Sequence, residues 1–206
     1  MKAWIAALVL IGALNGEQAA SPVPPAVPRS PVRVRLETAL GAIDIEVYPA
    51  RAPITAINFL RYVERGEYDG GRFHRTVRAG NQPDKKVLID VIQAGRDPVE
   101  RPPELPVILE RTSDTGLRHV DGAVSMARDG PDTATSDFFI CIGDQPELDF
   151  GGRRNPDGQG FAVFGRVVRG MDVVRRIHAA PADGQTLTPP VVIRKAAEVL
   201  SPLALP

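Results

Sequence analysis

The sequence predicts a mainly β fold, built as a closed antiparallel barrel with a few helices over it. Three observations carry that prediction. Apolar residues recur in many short runs, either alternating with polar residues or continuous and bounded by turn formers, as strands do. Only Pro53 to Arg65 and Met171 to Ile177 show helical spacing. No strand-helix unit repeats, which argues against a parallel α/β sheet. A chain of 206 residues with 43% hydrophobic content suits one domain with one sizeable core.

Val32, Val34 and Leu36 alternate with Arg33, Arg35 and Glu37, and beyond a turn near Leu40-Gly41, Ile43, Ile45 and Val47 alternate with Asp44 and Glu46. Period two on both sides of a glycine turn predicts a hairpin with one buried face. From Pro53 to Arg65 the period becomes helical, with Pro53 in the first turn, Ile54, Ile57, Leu60 and Val63 along one stripe, and Gly66 just past the end. This helix is expected to cap an open end of the sheet. Tyr68 to Gly71 predicts a turn into a strand carrying Phe73-His74-Arg75, and Val87 to Gln93 a further strand rich in β-branched residues. The polar segment between them, Arg78 to Lys86, reads as an exposed insertion. Asp97 to Pro106 reads as an irregular loop and Gly151 to Gly160 as a flexible one.

Gly122 to Gly143 is the most informative stretch. Its middle, Asp129 to Asp137, is composed of turn formers, while Ala123 to Ala127 and Phe138 to Ile142 are short apolar runs. A polar loop held between two buried strands is a good place for a site. Met171 to Ile177 then predicts a short helix, and Val191 to Leu200 a closing strand.

The N-terminus reads as a targeting segment. Lys2 precedes an apolar run, Ala3 to Leu14, too short to span a bilayer comfortably, so residues 1–20 are expected to be a secretory signal peptide. A cut after Ala20 places Gln18 where a small residue is preferred, and an uncleaved anchor is the alternative. Residues 21–31, with prolines at 22, 24, 25, 28 and 31, are expected to be an extended linker. The domain is expected over residues 32–200, with a tail at 201–206. Lys plus Arg and Asp plus Glu both count 25, so there is no basic field of the kind nucleic acid demands. Cys141 is the only cysteine, which excludes an intramolecular disulfide.

Three motifs bear a specific likeness. Ser125-Met126-Ala127 leading through Gly130-Pro131 and Thr133 to Ser136-Asp137-Phe138-Phe139-Ile140, together with Phe73-His74-Arg75 and with Phe161-Ala162-Val163-Phe164-Gly165 followed by Gly170-Met171-Asp172-Val173-Val174, resembles the cyclophilins. These are the cyclosporin-binding class of peptidyl-prolyl cis-trans isomerases, or rotamases. The likeness spans roughly Val32 to Val199. It implies an eight-stranded barrel capped by two α-helices, and an isomerase that needs neither cofactor nor metal. It further implies Arg75 as the catalytic donor, a proline pocket of Val91, Phe139, Leu148 and Phe161, and Gln93, Ala127 and Arg128 along the peptide backbone.

Asp137 stands where the family usually has a substrate-binding Gln, Asp90 where an aromatic wall is usual, and Glu147 where animal members carry a Trp. A direct pairing of Asp137 with the Arg75 guanidinium is expected, either orienting the donor or, the favoured reading, drawing it away from the substrate. The reading is a secreted, periplasmic, monomeric isomerase acting on proline-containing polypeptides, free of the membrane once the signal is cut. The alternative is a chaperone-like module that binds such segments with little turnover. His74, His119 and His178 are too scattered for a metal motif, and Ser125 and Ser136 lack nucleophile-elbow context.

Overall fold

The computed structural model describes residues 30–97 and 105–199; the expected signal peptide, most of the linker, the C-terminal tail and much of the 97–106 loop lie outside them. The strands are β1 (Val32–Thr38), β2 (Gly41–Val47), β3 (Arg72–Val77), β4 (Val91–Gly95), β5 (Ala123–Met126), β6 (Phe138–Cys141), β7 (Val163–Arg169), β8 (Ala182–Asp183) and β9 (Thr186–Glu198). They pair antiparallel in the order β1-β2-β7-β5-β6-β4-β3-β9, and β9 returns to β1, closing an eight-stranded barrel. Closure leaves no open edge on those eight strands. The two-residue β8 only adds a short hairpin arm to β9.

Among the described residues three helices accompany the barrel, one more than expected: α1 (Pro53–Glu64), the single turn α2 (Thr112–Thr115) and α3 (Met171–Ala179). Pro53 occupies the first turn of α1, and no side chain at the N-cap, Ala52, completes it. Instead the Glu110 carboxylate accepts from the N–H groups of Ile54 (3.1 Å) and Thr55 (2.7 Å), satisfying donors that the first turn leaves free. The expected stripe on α1 is corrected. Ile54 is 42% exposed, and the buried face runs through Thr55, Ala56, Phe59, Leu60, Tyr62 and Val63. Phe59 sits among Tyr68, Phe138 and Phe164 at centroid distances of 5.3, 5.4 and 4.9 Å. Truncating such a ring to Ala costs about 3–5 kcal/mol.

Two apolar clusters, one on each side of the sheet, explain why the central strands read as continuous apolar runs. Ile92, Ala94, Val124, Met126, Phe138, Ile140 and Phe164 belong to the barrel core, while their neighbours Val91, Ala123, Phe139, Cys141 and Val163 form a second cluster with Val77, Ile89 and Leu148. Strand β3 changes phase on the way. His74 is the extra residue of a bulge, so Phe73 opposes Ala94 and Arg75 opposes Gln93. Phe73 and Thr76 are then fully buried, while Arg75 shares a face with Gln93 and with the second cluster.

The strand expected from Val87 begins only at Val91. The Val87 carbonyl accepts from Arg154 (2.6 Å), and Gln82 brackets Ile89, its amide N donating to the Ile89 carbonyl at 2.8 Å. These side-chain bonds replace ladder bonds over that stretch. The 78–86 insertion is likewise less exposed than expected. Gln82 is 3% exposed, and Arg78 is tied to the carbonyls of His178 and Ala180 at 3.2 Å each.

Candidate active site

A cleft of about 470 Å³ opens over the second cluster. All nine residues singled out in the sequence line it: Arg75, Val91, Gln93, Ala127, Arg128, Asp137, Phe139, Leu148 and Phe161. Its apolar part is shaped by rings. Phe139 and Phe161 meet edge to face at 5.3 Å and 88°, and the His119 ring stacks on Phe139 at 5.9 Å and 10°. Ile89, 7% exposed, adds an aliphatic wall that sequence reading took only as part of a strand. The Asp90 side chain turns to His178, with Oδ1 3.4 Å from Nε2, and does not line the cleft.

Arg75 is half-buried, and burial pushes its guanidinium below its usual pKa. Its Nε (2.9 Å) and Nη2 (2.6 Å) both donate to Gln185 Oε1, and its Nη1 donates to Gln93 Oε1 (3.0 Å). Three of the five N–H groups of a guanidinium are thereby held by neutral acceptors, leaving two uncommitted. Gln185 is a residue that sequence reading missed. It sits in the turn between β8 and β9, and its amide N donates to the Asn81 carbonyl at 3.0 Å. The Asn81 amide in turn donates to the carbonyls of Thr76 (3.0 Å) and Gly184 (2.9 Å), so the insertion braces the group that holds Arg75.

The expected direct pair between Arg75 and Asp137 does not form. Gln93 stands between them, its amide O accepting from Arg75 and its amide N donating to Asp137 Oδ2 at 3.0 Å. His74 Nε2 lies 3.5 Å from the same carboxylate oxygen. Asp137 therefore fixes which way the Gln93 amide points and leaves the guanidinium to neutral partners.

Arg128 also departs from expectation. Its Nη1 and Nη2 donate to the Asp157 carboxylate at 2.8 and 3.0 Å, its Nε and Nη2 donate to the Gly160 carbonyl, and the guanidinium lies 5.0 Å from the Phe161 ring centroid. The Arg128 side chain is 1% exposed and staples the loop behind Phe161, so it is not free to reach a peptide backbone. The same bonds anchor the Gly151–Gly160 segment expected to be flexible.

Behind Phe139 lies a buried Ser-His-Asp arrangement. His119 Nδ1 is 2.7 Å from Asp149 Oδ1, and Nε2 is 3.0 Å from Ser125 Oγ. Burial holds the His119 imidazole below its ordinary pKa against the pull of Asp149. Burial pushes Asp149 up, but its bonds from the His119 ring and backbone and from Arg118 outweigh that and leave it below the usual carboxylate value. The contact is thus neutral imidazole to carboxylate, with Nδ1–H donating and Nε2 accepting from the Ser125 hydroxyl. Ser125 and His119 are 0% and 1% exposed, so no substrate carbonyl reaches Oγ; the triad is a strut under the pocket, not a nucleophile. Burial likewise pushes the Cys141 thiol well up, consistent with a small core hydrophobe. No group of three metal-ligating side chains occurs among the described residues.

Comparison with known proteins agrees with this geometry. The family model described as cyclophilin type peptidyl-prolyl cis-trans isomerase matches residues 33–198. The chain is 40% identical over 149 residues to peptidyl-prolyl cis-trans isomerase cyp18 of Streptomyces antibioticus, covering 70% of this chain and 81% of that protein. It is 37% identical over 145 residues to peptidyl-prolyl cis-trans isomerase A of Dickeya dadantii, covering 70% of each. The fold superposes on a crystal structure of a cyclophilin type isomerase of Cryptosporidium parvum with a TM-score of 0.67 at 22% identity, covering 84% of this chain and 99% of that one. With its closed barrel, its aromatic cleft and its motifs in order, the chain belongs to the cyclophilin-type peptidyl-prolyl cis-trans isomerases.

Proposed function

We propose that this isomerase works by holding the proline ring on Phe139, Leu148, Phe161 and Val91 while Arg75 donates to the prolyl nitrogen. A planar amide nitrogen is a poor acceptor, because its lone pair is delocalised and rotation faces a barrier of roughly 18–20 kcal/mol. Twisting the bond localises that lone pair, so a donor placed there binds the twisted amide better than either planar isomer and lowers the barrier. Rotation breaks no covalent bond, and the mechanism asks for no nucleophile or cofactor. The supporting observation is the Arg75 guanidinium, which is desolvated at the edge of an apolar floor, held by Gln185 and Gln93, and still has donors to spend. A protease-coupled assay on X-Pro peptides tests this. The purified chain should accelerate isomerisation, and the uncatalysed rate alone would refute it.

The physiological setting is part of the same proposal. Lys2 and the apolar run Ala3 to Leu14 support export to the periplasm, where proline-containing segments of folding proteins are the substrates and the chain acts as a monomer. Cys141, the only cysteine, is buried, so the fold relies on no disulfide. Mass spectrometry of the exported protein should find a terminus downstream of Leu14; an intact Met1 would contradict it.

A further inference from the structure

Six charged residues line the cleft, and they do not balance: Arg75, Lys85, Arg128 and Arg154 face Asp129 and Asp137. Arg128 is spent on Asp157, and Asp137 is engaged by Gln93 and lies beside His74. Arg154 has no such partner. Its Nη1 donates to two neutral oxygens, Gln82 Oε1 at 2.8 Å and the Val87 carbonyl at 2.6 Å. Among the described residues no carboxylate meets it, and its Nε and Nη2 make no hydrogen bond. These two groups form the planar edge that fits a carboxylate with two parallel bonds. Lys85 stands close by, its backbone N–H donating to the carbonyl of the same Gln82 at 3.1 Å, with its side chain exposed. Burial and the neighbouring Arg75 charge both push the Arg154 guanidinium below its usual pKa, and an incoming anion would offset the repulsion from Arg75.

We propose that Arg154, assisted by Lys85, is a subsite for an acidic side chain flanking the X-Pro bond, so that acidic proline-containing segments are the preferred substrates. The inference rests on the isomerase reading of the cleft and adds the class of substrate to it. Tethering Nη1 to neutral acceptors keeps the positive charge whole while fixing the plane of the fork, so little rotamer freedom is lost when a carboxylate arrives. The wall that carries the subsite comes from two loops, 78–90 and 149–161, neither of which holds the catalytic donor. The same loops also carry Phe161 and the Asn81 brace on Gln185, so flank preference is read as a ratio between peptides on one protein.

The test is a set of peptides with blocked termini, so that only a side chain supplies the anion, carrying Glu, Gln or Lys at either flank of one X-Pro pair. At one flank, kcat/KM for Glu should exceed that for Gln by about fivefold, the scale of a charge-assisted bond at a partly exposed site, and Lys should fall below Gln. Arg154→Gln should bring the ratio to one, Arg154→Lys should keep part of it, and Lys85→Gln should lower it partway. Because each ratio is taken within one protein, a general loss of activity in a variant does not disturb it. Equal Glu and Gln values at both flanks of the native protein, or a ratio that survives Arg154→Gln, overturns the proposal. If no peptide is accelerated, the isomerase reading fails, while the same ratios read as dissociation constants by NMR titration still decide the subsite.

Discussion

Gln185 Oε1 accepts from both Nε and Nη2 of Arg75, at 2.9 and 2.6 Å, across 110 residues of chain. An unrestrained Arg side chain carries about 2 kcal/mol of rotamer entropy. An amide in the β8–β9 turn, itself tied to the insertion, removes much of it before the substrate binds. Gln185→Ala should lower kcat by about tenfold, with little change in KM or in far-UV dichroism. In an Arg75→Ala background the same substitution should cost nothing more. A full additional loss in that background would show that Gln185 acts by some route other than Arg75.

Arg75→Ala should itself lower kcat/KM by on the order of a hundredfold, typical of removing one transition-state donor, and leave the fold intact. Arg75 is half-buried and outside both apolar clusters, so its loss opens no core cavity. Steady-state kinetics and thermal melting on the same preparation check both parts. An unchanged rate removes Arg75 from the mechanism.

For Asp137 the structure changes the sign expected from sequence. A competing carboxylate would make Asp137→Gln faster. Instead Asp137 accepts from Gln93 and so presents the Gln93 carbonyl oxygen to Arg75. Asp137→Leu should then cut kcat/KM severalfold, because the Gln93 amide loses the bond that orients it, whereas Asp137→Gln, which keeps an acceptor, should lie near the native value. A clear gain for either variant would restore the competitor view.

The outer strands were legible because period two assigns faces without reference to the rest of the chain, whereas the nine lining residues were legible through the family motifs that carry them. Val91 and Gln93 on β4, and Phe139 on β6, sit in runs apolar on both faces, so the resemblance and not the alternation singled them out. Gln185 and Arg154 carried no such signal. Each is a polar residue in a turn-rich loop, and what it meets depends on where a distant loop lands. The stripe on α1 was misplaced for a different reason: Thr55, Asn58 and Tyr62 count as polar or mixed by composition yet face the core, where the Asn58 amide donates to the Thr135 carbonyl at 2.7 Å and Tyr62 packs on Tyr68. Val87 to Asp90 has strand-forming composition, but side chains of Gln82 and Arg154 claim its carbonyls before a neighbouring strand can.

Cyclosporin should bind weakly. Glu147, at the position where animal relatives carry a flat apolar donor, is engaged by Arg153, which donates from Nη2 at 2.7 Å and from its backbone N–H at 2.9 Å. A large apolar ligand lying there would have to desolvate that pair without replacing its bonds. Calorimetry should give no tight complex, and a nanomolar dissociation constant would overturn this expectation.

The last prediction concerns pH and follows from the strut behind Phe139. His119 is neutral in the fold because burial holds its pKa below the ordinary value of about 6.5. In the unfolded chain the same imidazole takes up a proton near pH 6.5, so below that point the unfolded state binds more protons than the native one and stability rises with pH. The contribution is complete above about pH 6.5 and is lost as pH falls from there toward the depressed native value. Asp149, also held below its usual value, adds a second loss only at more acid pH. Activity should respond only at the acid end of that window, where the native imidazole itself takes up a proton. The His119 ring stacks on Phe139 and meets Phe161 edge-on at 6.4 Å, so charging it disturbs the wall that grips the proline. His119→Gln keeps hydrogen-bonding capacity and removes the titration. Melting temperature measured from pH 8 to pH 5 should fall more steeply for the native protein than for His119→Gln, with kcat/KM of the two diverging only toward the acid end, and the difference between the paired profiles isolates this histidine. Superimposable profiles would show that the strut does not titrate in this range.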